Sequence, residues 1–425
     1  MMPKSIRWLA GCLILLAGLL VLVAWTARTG ALPSRVVCLL CLCFVPYAGV
    51  LRAVSGSDTV GIDAPAAIST RIAPVATLVL GSILLFAPPV LSDDLYRYLW
   101  EGRVLANGFN PYAWAPDAPL LSPLRNELWE SVNHRSLASI YPPLSQFLFF
   151  TMDFVAGEVW VPKALGLLTL VASTFVVARA TPSSGAPFAI GLNPLLLSEC
   201  VLNGHLDLIV GLALLAAAMS LASGRYGRAA VATCAAVGLK LVGLVFVPLF
   251  VRRWGWFVAT MAASALLLAP LALWSSPTEG VSGLGQFALT WRGNASFYAV
   301  VEFLVGDAKI SRALVVALVA AFGFVMATRE VPPIRAARLL VWTTLLVSPQ
   351  VHPWYLAWLL PLEVASGKVA GLVWSAAILM TYAPLDRWVA DRVWVEQPAL
   401  LATQYAVVAL ALVWEWRTAR SDTLL

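Results

Sequence analysis

Two adjacent acids stand at the head of the string Ser92-Asp93-Asp94-Leu95-Tyr96-Arg97-Tyr98-Leu99-Trp100-Glu101-Gly102-Arg103, where an apolar run gives way to a polar one. A carboxylate fixed at such a boundary can take the proton from a hydroxyl as that hydroxyl attacks an electrophile. The acids open a polar island that runs to Pro143 and contains Gly108-Phe109-Asn110-Pro111-Tyr112, Asn133-His134 and Ile140-Tyr141-Pro142-Pro143. Arg97, Arg103, Asn133 and His134 give the island anion-binding and acid-base groups. A plainer reading stands beside this one. Ser92 suits an N-cap, with Asp93 and Asp94 in the first turn of an amphipathic helix running to about Asn107. Acids are favoured there by the helix dipole, and Arg97 is four residues from both Asp93 and Glu101.

Two further clusters interrupt apolar sequence. Asn193-Pro194-Leu195-Leu196-Leu197-Ser198-Glu199 is followed by Asn203-Gly204-His205-Leu206-Asp207. A charge at the bilayer centre costs about 2.5 to 3.5 kcal/mol, so Glu199, His205 and Asp207 are expected to line a cavity or find a partner. Lys240, alone in an apolar run, is one candidate for a structural ion pair with them. The third cluster is Ser348-Pro349-Gln350-Val351-His352-Pro353-Trp354-Tyr355. All three histidines of the chain, His134, His205 and His352, fall in such breaks.

The elements that must position these groups are membrane helices. The 425 residues are 60% hydrophobic and 12% charged, with a mean hydropathy of +0.84, outside the range of soluble globular domains. Apolar runs of about 20 residues recur along the chain, and only helices satisfy the backbone of such runs in lipid. The fold class is therefore an all-α polytopic membrane protein, with about 11–14 transmembrane or half-spanning helices. The net charge of +6 lies at segment ends, which excludes a nucleic-acid surface and fits membrane topology instead. Trp8 to Ala27, preceded by Lys4 and Arg7, reads as an uncleaved signal anchor. The six cysteines sit in apolar runs and read as small hydrophobes rather than metal ligands.

Several segments are too short to span. Those at 187–201, 336–348 and 353–365 cover only about 20 Å each, as half-helices around a water-filled cavity do. Arg335 and Arg338 before the last pair, and Lys368 after it, would put the 348–355 link part-way into the bilayer from the opposite side. Arg225 and Arg228 before 229–250, with Arg252-Arg253 after it and Lys240 between, predict a broken, re-entrant path there as well. Three spans after a cytoplasmic Lys4 and Arg7 place the 92–143 island on the extracytoplasmic face. The region 275–307, with Trp291-Arg292-Gly293-Asn294 and Glu302, is a second, smaller polar break.

The Asp93–Arg103 string, Asn110-Pro111-Tyr112, Tyr141-Pro142-Pro143, Asn193-Pro194, Asn203-Gly204-His205-Leu206-Asp207 and Ser348-Pro349-Gln350-Val351-His352-Pro353-Trp354 resemble, in this order, bacterial membrane glycosyltransferases of the GT-C superfamily. The closest likeness is to the polyprenol-phosphate-mannose-dependent mannosyltransferases of glycosyltransferase family 87. It covers most of the chain from about residue 72. The resemblance implies two additional N-terminal transmembrane helices (1–71), a transmembrane catalytic domain (72–425) and an extracytoplasmic catalytic loop (92–143). It further implies an inverting transfer of a hexose, mannose above all, from a polyprenyl-phosphate donor to a glycolipid or glycan acceptor in the bilayer of the bacterial inner membrane. Asp93 or Asp94 would be the base, Asp93 lying closer to the membrane boundary, and the His352 region would face the donor phosphate. The substrate would be met by Arg97, Arg103, Asn110, Tyr112, His134 and Tyr141 in the island, and by Glu199, His205, Asp207, Lys240, Gln350, His352 and Tyr355 beyond it. No nucleotide-binding glycine loop occurs, in keeping with a lipid-linked donor. No cofactor is required by this chemistry, although the paired aspartates with His205 and Asp207 leave a divalent metal ion open. A transporter or flippase of a lipid-linked or polar substrate is the alternative, since charged residues in broken helices also mark transport paths. A third reading is a non-catalytic assembly protein of the cell envelope.

Overall fold

The structure, a computed structural model, describes residues 4–54, 66–274 and 283–421. The described residues are mostly helical, and the only β-pairing among them is one isolated parallel bridge, Gly293 to Gln350. Six described helices are long and apolar enough to cross a membrane: Ile6–Arg28, Pro33–Val54, Trp160–Ala180, Trp254–Leu273, Ala308–Thr328 and Pro398–Thr418. Shorter apolar helices lie between them, among them Thr70–Leu85 and Asp207–Ala222. The chain is an all-α polytopic membrane protein. It forms two compact units, one of Met1–Leu91, Lys163–Leu208 and His352–Leu425, the other of Ser92–Pro162 and Ile209–Val351.

In the first unit the segment expected as one half-helix at 187–201 is broken in three. Helix Ala186–Gly191 stops, Pro194–Leu196 makes a single turn, and Leu197–Leu202 is a π-helical turn. Asn193 causes the restart. Its side-chain oxygen accepts from Leu195 N at 3.0 Å and Leu196 N at 3.3 Å, while Pro194 takes the first helical position, where no N–H is needed. The span expected at 72–91 ends early, at Leu85, because Pro88 and Pro89 cannot continue a helix. The strap that follows is held by Lys163, whose buried ammonium donates to the Ala87 carbonyl, and by Asn203, whose Oδ1 accepts from Leu91 N at 3.2 Å. Two other buried acids have local structural work. Glu363 accepts from Gly371 N, and Glu415 from Val369 N and Ala370 N, at the start of helix Ala370–Ala377. There they satisfy orphan donors and meet the positive end of the dipole.

In the second unit helix Asp94–Ala106 packs on helix Pro143–Val155. Gly102 allows the approach, since a Cβ there would lie 2.1 Å from the Phe149 carbonyl oxygen. The 229–250 segment is broken at Lys240, as its charges predict. Helix Tyr226–Leu239 ends, Lys240 is extended (φ −156°, ψ 139°), and the 3-10 helix Leu241–Phe250 folds back along it. Gly243 sits so close to the Ala236–Val237 backbone that a Cβ would come within 2.4 Å of Val237 N. Helix Pro333–Val347 leads into Ser348-Pro349-Gln350, which closes the bridge to Gly293.

Candidate active site

Asp93 occupies the N-cap position of helix Asp94–Ala106, one residue later than the sequence suggests for the cap, yet its side chain caps nothing. Ser92 Oγ accepts from Asp94 N instead, at 3.3 Å. Both carboxylates turn to Asn133, whose Nδ2 donates to Asp93 Oδ1 at 2.7 Å and to Asp94 Oδ1 at 2.8 Å. One amide nitrogen therefore bridges two acids from 39 and 40 residues away. Asp93 remains exposed and Asp94 half-buried.

Asn133 is held by the arginine four residues inside the helix. Arg97 is buried and pairs with Glu101 through Nε at 2.6 Å. Its remaining nitrogens donate to the carbonyls of Asn133 (3.3 Å), His134 (3.1 Å) and Leu137 (2.5 Å). The donors expected to meet a substrate anion are thus committed to the loop. The pairing to Asp93 that the spacing also allowed gives way to Glu101, which is buried with it. Arg103 pairs with Asp153 at 3.6 Å. Asn110 shapes its own turn by accepting from Tyr112 N and donating to the Trp274 carbonyl. Tyr112 donates to the Tyr141 carbonyl, and Tyr141 packs edge-on against Tyr98 and Phe149. Arg103, Asn110, Tyr112 and Tyr141 therefore build the island around the acids.

His134, beside the bridging amide, has a left-handed backbone (φ 43°), a conformation that costs a non-glycine residue energy and recurs at functional sites. Its ring meets Trp291 edge-on at 4.9 Å. Two residues on, Gly293 exchanges hydrogen bonds with Pro349 and Val351 around Gln350, and buried Asn294, also left-handed (φ 51°), donates to the Val351 carbonyl. The second polar break and the 348–351 link thereby join the island within one unit, and Gln350 enters the group.

Burial lowers the His134 pKa below its ordinary 6.5, with Asp93 acting against this and Arg97 with it. The unfolded chain then takes up a proton more readily than the folded loop. The stability carried by the neutral imidazole is complete above about pH 6.5 and is lost as the pH falls through the folded-state value. His134→Gln should therefore flatten the acid limb of a plot of unfolding temperature against pH. An unchanged limb in that variant would assign the acid sensitivity to another group.

The remaining candidates meet in the other unit. Glu199, fully buried in the π-helical turn, accepts from Tyr382 Oη at 2.9 Å and lies 3.6 Å from His205 Nε2. The His205 ring stacks on Trp354 at 4.0 Å, and Trp354 stacks on His352 at 4.2 Å. Tyr355 stacks in turn on Trp358 at 4.2 Å, and Trp358 Nε1 donates to Asp207 at 2.7 Å. Glu199, His205, Asp207, His352 and Tyr355 thus form one aromatic ladder, with His352 and Tyr355 at its less buried end. Lys240 lies in the unit of the acids, at the turn before the 3-10 helix. Trp358 and Tyr382, which complete the ladder, were not singled out by the sequence; the spacing of Trp354 and Trp358 by one helical turn was the available signal. Among the described residues no three His, Cys, Asp or Glu side chains gather as a metal ligand set.

A multi-pass helical membrane protein with a bridged acid pair on a polar loop is the class this fold and site define. The family model described as alpha-(1->6)-mannopyranosyltransferase, N-terminal domain, matches residues 7–257, and the chain belongs to that family. The match takes in Asp93, Asp94, Asn133, Glu199, His205, Asp207 and Lys240. The chain is 26% identical over 247 residues to alpha-(1->6)-mannopyranosyltransferase A of Corynebacterium glutamicum, covering 53% of this chain and 49% of that protein. It is also 26% identical over 337 residues to alpha-(1->6)-mannopyranosyltransferase B of the same organism, covering 65% of this chain and 55% of that protein. The chain spans about half the length of these relatives. No solved structure matches it.

Proposed function

We propose that the chain is an inverting mannosyltransferase that uses a polyprenyl-phosphate-linked mannose as donor and a hydroxyl of a glycan or glycolipid as acceptor, at the extracytoplasmic face of the bacterial inner membrane. The observation that carries this reading is the Asp93–Asn133–Asp94 bridge. It holds an exposed carboxylate on the polar loop, not capping its helix, in a chain of a mannosyltransferase family.

In the proposed reaction Asp93 accepts the acceptor's hydroxyl proton as the oxygen attacks the anomeric carbon. The carbon–oxygen bond to phosphate breaks, and both of its electrons leave with the polyprenyl monophosphate. Asn133 and Asp94 fix the base, and hydrogen-bond donors opposite the anomeric carbon meet the departing phosphate. A single base and in-line attack invert the anomeric centre. An α-linked product, as in the relatives' names, then requires a β-linked donor.

The test is a transfer assay with the purified full chain, β- and α-linked polyprenyl-phosphate mannose, nucleotide-linked mannose and a panel of mannosyl acceptors. Transfer from the β-linked lipid donor alone is expected. Transfer from nucleotide-linked mannose, or labelled lipid moved across proteoliposomes without a covalent product, would overturn the reading.

A further inference from the structure

Within the second unit a cavity of about 440 Å³ opens among the ends of five helices, lined by Leu221, Tyr226, Leu249, Arg252, Arg253, Glu330 and Val331. It lies far from the acids. Helix Tyr226–Leu239 begins at the cavity and ends at Leu239, whose carbonyl accepts from Ser145 beside the island, about 20 Å away at 1.5 Å per residue. Helix Pro333–Val347 likewise starts at the cavity and ends at the Gln350 link.

The lining mixes the apolar Leu221, Leu249 and Val331 with the polar groups of Tyr226, Arg252 and Arg253, and polar surface predominates. Arg225, Arg228, Arg252, Arg253, Arg329 and Arg335 are all exposed on the segments that end here, against one acid, Glu330. Arg252 pairs with Glu330, both of them exposed, a contact worth little in water. Arg253 lies over the Tyr226 ring at 5.1 Å, which fixes its guanidinium at the mouth without neutralising it. Trp254 and Trp256, exposed and next in sequence, are residues that settle at the level of lipid head groups. Such an excess of arginine marks the cytoplasmic end of membrane helices.

We propose that this cavity binds the phosphate head group of an anionic membrane phospholipid, its acyl chains lying along the apolar helix surfaces below and Arg252 and Arg253 clamping the phosphate. A guanidinium pair suits a phosphate diester, and basic pockets between transmembrane helices on that side take anionic head groups. The site is independent of the proposed transfer chemistry.

Native mass spectrometry of the detergent-solubilised full chain, titrated with dioleoyl phosphatidylglycerol, dioleoyl phosphatidylcholine or glycerol 1-phosphate, tests the proposal. Phosphatidylglycerol should be retained on the order of tenfold more tightly than phosphatidylcholine. The Arg252→Gln/Arg253→Gln variant should lose that preference, while Arg179→Gln, an exposed arginine of the other unit, keeps it. Circular dichroism establishes that each variant is folded, and Arg253→Gln alone gives the milder case should the double variant not be. Equal retention of the two lipids, retention unchanged in folded variants, or displacement by glycerol 1-phosphate at equal concentration would each overturn a phospholipid site.

Discussion

Asp93→Asn is expected to lower mannosyl transfer by at least about a hundredfold, the range lost when a positioned general base is removed. The substitution is a clean one. Asparagine keeps an oxygen that can accept from Asn133 Nδ2, so the 2.7 Å contact and the bridge survive while the basicity is gone. The loss should then fall on kcat, with KM for the lipid donor nearly unchanged, because the interaction removed is one made in the transition state. Asp94→Asn should cost less, about tenfold, since Asp94 is half-buried in the first helical turn and acts by holding Asn133. Asn133→Ala frees both acids and should resemble Asp94→Asn. The measurement is initial-rate kinetics with the β-linked donor at saturating acceptor. Full activity in Asp93→Asn, with Asp94→Asn inactive, would move the base by one residue; full activity in both and in the double variant would remove it from this loop altogether.

How much of this could be read in advance differs by the range of the interaction. Breaks set by local chemistry were legible: Asn193-Pro194 restarts a helix, and Lys240 with its flanking arginines interrupts the 229–250 run. The acid pair and the polar breaks were legible as candidates for the same reason, since charge in an apolar chain is conspicuous. What the acids bind was not. Local spacing offered Asp93 a partner in Arg97 four residues away, and tertiary structure gave it Asn133, forty away, because buried Glu101 took the arginine. The end of the third span at Leu85 was overrun, as hydropathy continues through Ala87-Pro88-Pro89 although the backbone cannot. The His205–Trp354–His352 stack joins segments about 150 residues apart, and no periodic pattern encodes such a pairing. Glu363 and Glu415 are a further lesson: a buried acid in a membrane segment can be a helix cap, so charge alone does not make a site.

Glu101→Ala is expected to destabilise the chain by about 3–5 kcal/mol and to lower transfer with it, since removing one partner of a buried ion pair strands the other. Glu101 is 2% exposed and Arg97 5%. Besides Arg97 Nε, the Glu101 carboxylate takes Ser139 Oγ at 2.6 Å and Gln146 Nε2 at 2.5 Å, which ties the start of the island to its end and to the next helix. Arg97 continues the chain of contacts into the carbonyls of Asn133 and His134, so the loss reaches the bridging amide within two steps. Replacing both partners by apolar residues of similar volume, Arg97→Met with Glu101→Leu, removes the stranded charge and should recover part of the stability, the rest being lost with the polar partners of the pair. It should not recover activity. The methionine cannot donate to the carbonyls of residues 133, 134 and 137, and Asn133 is left without its support. Thermal unfolding and transfer measured on the two single variants and the double variant therefore separate stability from positioning. A Glu101→Ala variant as stable as the parent, or a double variant with restored transfer, would show that the pair does not hold the acid bridge in place.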